Sequence, residues 1–174
     1  NDRKIYEKSK ILNNHGINRN FDKQYCPSEL GYKFKITNIQ AAMGLAQIER
    51  SKEIIQKKIK IMEFYKDYFY NNKDISFNIE PYGYKNSFWM PTAIFSSSYK
   101  VNITSLINEF QANNIDARNF FCPLSSLKFF KENKKNKISR DIYSRAINLP
   151  SFYDMNEDQL LKVCRIIDKT ISKK

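Results

Sequence analysis

The chain has 174 residues, 41% of them apolar and 14% aromatic, enough for a folded domain with a helical extension. Its net charge is +12, but the lysines are spread over the whole length and only KFFKENKKNK is dense, so charge alone does not define a nucleic-acid binder. No stretch reaches the ~18 apolar residues of a membrane span, and the opening NDRKIYEKSK is too charged for a signal peptide; the expectation is a cytoplasmic protein with no membrane partner.

The first segment, DRKIYEKSKILNNHG, sets Ile5, Ile11 and Leu12 in a polar background and stops at Asn-His-Gly, a helix end with His15 beside Gly16. Thr37 and Gln40 then have the spacing of a capping box, which places Tyr32 to Lys35 in the loop just before a helix. That helix holds the small residues Ala41, Ala42, Gly44 and Ala46 among Ile39, Met43, Leu45 and Ile48, so it is expected to be buried at an interface. A second helix, roughly Lys52 to Tyr70, has Ile55, Ile59, Met62 and Phe69 at helical spacing, with Lys57, Lys58 and Lys66 on a wet side.

Alternation follows: Ile75, Phe77 and Ile79 suit a half-buried strand, Pro81 to Gly83 a turn, and SFWMPTAIF a second strand with an edge or bulge at Pro91. Ile103, Leu106, Ile107 and Phe110 mark a helix from Asn102 to Asn113-Asn114, and IDARNFF reads as a strand. Cys122 to Asn136 mixes loop and short helix, RDIYSRAI is a short helix, and Asn156 with Gln159 caps a last helix striped by Leu160, Val163, Ile167 and Ile171. The sum is an α+β chain: residues 1–72 a helical segment with an interface loop and long interdomain helices, and 73–174 a small α+β domain whose mainly antiparallel sheet is packed by helices.

Cys26, Cys122 and Cys164 are odd in number and far apart, which suits small core hydrophobes better than a metal site or a disulfide framework. A single histidine excludes zinc held by several imidazoles, and no metal ligands are assigned. Phe88 and Trp89 either stack on a sugar or base or fill the core. Arg118 has a neighbouring acid with which it can pair.

LGYKFKITNIQAAMGLAQIER, residues 30–50, resembles the stretch of DegT/StrS-type sugar-nucleotide aminotransferases that reads Gly-aromatic-Asn-aromatic-Arg and, after a short apolar pair, Asn or Asp, Ile, Gln, Ala, Ala. The resemblance extends to ILNNHG, FWMPTAIF, IDARNFFCPLSSLKFF and AINLPSFYDMNEDQLLKV, with FWM and FFCPLSSL most similar to the GDP-perosamine synthase branch. It implies the carboxy-terminal part of a fold-type I enzyme that uses pyridoxal 5'-phosphate. The Schiff-base lysine, the aspartate that pairs with the pyridinium and the residue that stacks on the ring would lie upstream of Asn1, so no catalytic residue is assigned here and the segment alone is expected to be inactive, with no covalently bound cofactor.

The same resemblance implies a homodimer in which Tyr32, Lys33, Lys35 and Asn38 approach the cofactor or substrate of the neighbouring subunit. Lys33 stands where the family has asparagine and Lys35 where it has arginine, which keeps charge and gives up arginine's planar fork. Trp89, Arg118 and Ser125 are the implied substrate-binding residues. The implied reaction moves an amino group, with glutamate as donor, onto a 4-keto-6-deoxy sugar nucleotide for surface polysaccharide such as lipopolysaccharide O-antigen. The alternatives are a non-catalytic remnant that dimerises or binds anions, in which both lysines belong to a solvated surface, and, third, a basic nucleic-acid binder.

Overall fold

The computed structural model describes residues 2–18, 20, 26–99, 101–128, 130 and 135–171. These form two compact units that meet between Arg50 and Ser51.

In the first unit, α1 (Arg3–Leu12) starts at Asp2, whose carboxylate accepts from the N–H groups of Lys4 at 2.8 Å and Ile5 at 3.3 Å. It ends as expected, with His15 (φ 63°) and Gly16 (φ 74°) both in the left-handed region that stops a helix. A strap from Leu30 to Lys35 is then tied across that end. Tyr32 N–H donates to the Leu12 carbonyl at 2.6 Å, His15 N–H to Tyr32 at 3.1 Å, and Phe34 N–H to Asn13 at 3.2 Å. Two glycines allow the approach: a Cβ on Gly31 would stand 1.9 Å from the Gly16 nitrogen, and one on Gly16 would stand 1.8 Å from the Glu29 oxygen.

The strap leads into α2 (Asn38–Glu49), capped as its sequence dictates: Gln40 N–H donates to Thr37 Oγ1 at 3.3 Å, and Thr37 N–H to Gln40 Oε1 at 2.9 Å. The expectation that α2 is buried is corrected here, because none of its residues is buried in this chain. Ile39, Met43, Leu45 and Ile48 are all more than half exposed, and nothing lies within 4 Å of where a Gly44 Cβ would stand. Apolar composition fits a helix for a partner without supplying one.

The second unit begins with α3 (Ser51–Tyr68), which joins the sheet rather than the preceding helix because Ile61, Met62, Tyr65 and, just beyond it, Phe69 are buried there. Strands β1 (Ile75–Phe77), β2 (Thr92–Phe95), β3 (Arg118–Asn119) and β4 (Ala146–Asn148) pair in the order β1-β2-β4-β3, all antiparallel. In register, Ile75 faces Phe95, Phe77 faces Ala93, and Ala93 faces Ile147, so these side chains share one side of the sheet. They meet Leu106 and Phe110 of α4 (Ile103–Ala112) and Val163, Cys164 and Ile167 of α6 (Glu157–Ile171). Each such fully buried apolar side chain is worth about 1.5–3 kcal/mol.

Helix ends are set locally. Asn102 accepts from Ser105 N–H at 3.0 Å, and Asn156 and Gln159 exchange bonds of 2.9 and 3.0 Å ahead of α6. A shorter α5 (Lys137–Ser144) leads into β4. Four readings change. The second strand starts only at Thr92, since Phe88 turns left-handed at φ 47°; IDARNFF contributes just Arg118 and Asn119 to the ladder; Ile79 is 72% exposed; and the helix in RDIYSRAI stops at Ser144, with Ala146 and Ile147 in β4. Of the cysteines only Cys164 is in the core, Cys26 and Cys122 being exposed. Residues 129 and 131–134 of the dense KFFKENKKNK run lie outside the described residues.

Candidate functional site

The strap displays its side chains outward because its backbone is committed to α1. Tyr32 stacks on Phe34 with ring centroids 5.3 Å apart and planes 8° from parallel. Lys33 pairs through its backbone with Asn14, and Lys33, Lys35 and Asn38, the first residue of α2, are all exposed. Lys35 also borders a hollow of about 700 Å³ shared with Arg3, Lys10 and Asn13. Two exposed lysines and a side-chain amide, all between residues 33 and 38, are donor types suited to an anion.

The second unit carries its own groove at the end of β4, about 210 Å³, lined by Lys58, Trp89, Arg118, Asn148 and the turn from Leu149 to Phe152. Register explains part of this convergence: Asn148 is opposite Thr92 on one side and Arg118 on the other. Thr92 Oγ1 donates to Asn148 Oδ1 at 2.9 Å, and Asn148 Nδ2 donates to the Asn119 carbonyl at 3.2 Å, so these buried polar groups hold the floor.

Trp89 is held out at the rim, 61% exposed, with its ring 6.1 Å from that of Phe121. The cause is its neighbour. Phe88 is buried, its N–H donates to Asn86 Oδ1 at 2.9 Å, and Lys66 Nζ lies 4.7 Å from its ring centre, all while it holds a left-handed backbone that is costly for an aromatic residue.

Arg118 is forked onto Asp116, with Nη2 2.8 Å and Nε 3.2 Å from Oδ2. The hydrogen bond from Arg118 holds the Asp116 carboxyl below its ordinary value and raises the guanidinium in return. Lys58 Nζ donates to the Ser151 carbonyl and, at 3.1 Å, to the Ser151 hydroxyl, and burial lowers its pKa.

Of the three sequence-derived substrate residues, the fold brings Trp89 and Arg118 to one groove, and Ser125 does not line it. Ser125 lies on a single 3-10 turn, Leu124–Ser126, its buried hydroxyl without a hydrogen-bond partner among the described residues. Lys58 and Phe121 were missed. The signal for Lys58 was its spacing, four residues before Met62 and seven before Tyr65, which puts it on the buried face of α3. A neighbouring hollow of about 490 Å³ shares the Asp116 and Pro150 to Phe152 wall but takes in neither Trp89 nor Arg118. Among the described residues no cluster of histidine, cysteine or acid could hold a metal, and no helix is long and apolar enough to cross a membrane.

This α+β arrangement is that of one part of an aminotransferase. Helicobacter pylori PseC, an aminotransferase involved in the biosynthesis of pseudoaminic acid, superposes with a TM-score of 0.81 at 20% identity, over 100% of this chain and 48% of that one. The putative sugar aminotransferase Spr1654 of Streptococcus pneumoniae, in its PLP form, gives 0.77 at 20% identity, over 99% and 44%. The chain belongs to the DegT/DnrJ/EryC1/StrS aminotransferase family, whose model matches residues 1–168. GDP-perosamine synthases from Escherichia coli and Vibrio cholerae are 28% and 30% identical to it, over 100% and 94% of this chain and 46% and 44% of those proteins. The chain thus spans about half the length of the curated relatives it matches, in a family that depends on pyridoxal phosphate.

Proposed function

We propose that this chain is the carboxy-terminal portion of a cytoplasmic, homodimeric aminotransferase that places an amino group from glutamate on a 4-keto-6-deoxy sugar nucleotide, for surface polysaccharide. The observation that carries this reading is the convergence of Trp89 and Arg118 on one groove in a chain that matches GDP-perosamine synthases over 94–100% of its length.

The strap fits the phosphate end of pyridoxal phosphate by its donor chemistry: Lys33, Lys35 and the Asn38 amide would hold it, with Tyr32 beside them. When bound, that cofactor supplies an electron sink for the amino transfer. Lys33 and Lys35 act as flexible point charges, so they attract the phosphate and fix its orientation less firmly than an arginine fork does. In the second unit the Trp89 and Phe121 rings offer a face to a sugar or base, and Arg118 a positive edge. On this reading the lysine that anchors the cofactor is supplied from upstream of Asn1.

The rival reading, a non-catalytic chain that pairs with a second copy, draws on the exposed apolar side chains of α2. The encoding gene separates the two. An in-frame upstream segment with Ser-x-x-x-Lys, whose product releases 2-oxoglutarate from glutamate when a GDP-linked 4-keto-6-deoxy sugar is present, supports the enzyme. A start codon just ahead of Asn1 supports the rival.

A further inference from the structure

We propose that Lys58 is the anion-binding residue of the groove, and that its ligand is the diphosphate of a nucleoside diphosphate whose base lies against Trp89 and Phe121. This rests on the sugar-nucleotide reading and adds a residue that the family resemblance did not assign.

The charge of the groove points to it. Arg118 already has a carboxylate: its fork is closed on Asp116, so the pair brings little net charge. Lys58 donates to the carbonyl and hydroxyl of Ser151, both neutral, and pairs with no carboxylate among the described residues. An ammonium has three N–H donors, and Ser151 takes two of them. Lys58, with a donor to spare and its charge uncompensated, lines a groove that also holds Asn148 and Trp89. Burial lowers its pKa, in keeping with a cation partly withdrawn from water, and Asp116, which also lines the groove, is taken by Arg118.

The aromatic wall selects what the anion is attached to. Trp89 and Phe121, 61% and 54% exposed with centroids 6.1 Å apart, form an open platform beside the groove, and it is the buried, left-handed Phe88 that holds Trp89 there. A π-face next to a cation suits a base joined to phosphates, and suits free phosphate less well. Lys58 also braces the turn at Ser151 from the face of α3 that sends the Tyr65 hydroxyl to the Pro150 carbonyl at 2.9 Å. A purely structural brace is therefore the competing role.

Trp89 is the only tryptophan of the chain, so its fluorescence reports on this groove alone. The 174-residue chain is titrated with GDP, with guanosine and with inorganic pyrophosphate, as wild type and as Lys58→Met, Lys58→Gln and Lys58→Arg, each checked by thermal melting. The expected result is quenching by GDP at lower concentration than by guanosine. In Lys58→Met that preference falls about tenfold or more, the worth of one charge-assisted hydrogen bond, while guanosine binding holds and Lys58→Arg retains the preference. Should Lys58→Met fail to fold, Lys58→Gln keeps a donor for Ser151 without the charge and is read the same way. An undiminished preference in the neutral variant, equal losses for GDP and guanosine, stronger binding of pyrophosphate than of GDP, or no GDP response from folded wild type would each overturn the proposal. Amino transfer by the full-length protein is measured separately. Transfer without Lys58-dependent GDP binding sinks only this inference, and Lys58-dependent binding without transfer sinks only the aminotransferase reading.

Discussion

Replacing Gly31 with alanine tests how the strap is held. The new Cβ would stand 1.9 Å from the Gly16 nitrogen, 2.4 Å from the His15 carbonyl carbon and 2.6 Å from the Gly16 Cα, all of them backbone atoms. None can yield cheaply, because Gly16 N–H is bonded to the Ile11 carbonyl at 3.0 Å and both residues are fixed in the left-handed turn. Relief comes instead by lifting the strap, which breaks the three bonds that join His15, Tyr32 and Phe34 to their partners. At about 0.5–1.5 kcal/mol net each, detachment costs about 1.5–4.5 kcal/mol, and that sum caps the effect of the substitution. Amide hydrogen exchange followed by NMR reads it directly. In Gly31→Ala the amides of His15, Tyr32 and Phe34 should lose protection by that free energy, while Ala93 and Ile147 in the sheet hold theirs. Unchanged protection at the three strap amides would refute the close-approach account.

In the full-length protein, Lys33→Ala with Lys35→Ala should weaken pyridoxal phosphate binding by about 1.5–3 kcal/mol per lysine before solvent screening, and Lys33→Asn with Lys35→Arg should hold or improve it; fluorescence titration of the three proteins decides, and equal affinities would detach the strap from the cofactor. Burial, with help from Asp168, pushes the Cys164 thiol from 9.0 up to about 12. Between those values the unfolded chain has lost a proton that the folded chain keeps, so stability falls as pH rises from about 9 to 12, and Cys164→Ala should flatten that fall in urea melts; parallel curves would count against it. Ala42→Leu should leave the melting of this chain within about 0.5 kcal/mol, since Ala42 is exposed, but should cost a full-length dimer about 1–3 kcal/mol of overpacking if α2 is its interface. A matched melt and sedimentation series separates those effects, and a large loss in this chain alone would refute the exposed placement.

What could be read in advance was mostly local. Thr37 with Gln40, and Asn156 with Gln159, announced helix starts because a cap is satisfied within four residues. The sheet order β1-β2-β4-β3 was not legible, since β4 enters between strands formed much earlier in the chain. Trp89 and Arg118 were singled out, but their meeting depends on Asn148 pairing with both Thr92 and Arg118, a non-local register. Lys58 was lost in the lysine-rich background: α3 was read by its apolar stripe and its lysines were assigned to water, although Lys58 shares a face with Met62 and Tyr65. The left-handed Phe88 left no trace, because nothing in Asn-Ser-Phe-Trp demands a positive φ. The error on α2 was different in kind. Its composition called for burial, and among the described residues none of its side chains is buried.

The most direct test of the aminotransferase reading follows nitrogen. The protein encoded by the whole reading frame is loaded with pyridoxal phosphate and given ¹⁵N-glutamate and a GDP-linked 4-keto-6-deoxy sugar, and the products are analysed by mass spectrometry and NMR. The expected result is a ¹⁵N-labelled amino group at C4 of the sugar, formed one-for-one with 2-oxoglutarate and lost in step with the cofactor when Lys33 and Lys35 are both alanine. Sugar nucleotide recovered unaminated from a folded, cofactor-loaded protein, across GDP-, UDP- and dTDP-linked 4-keto sugars, would contradict it.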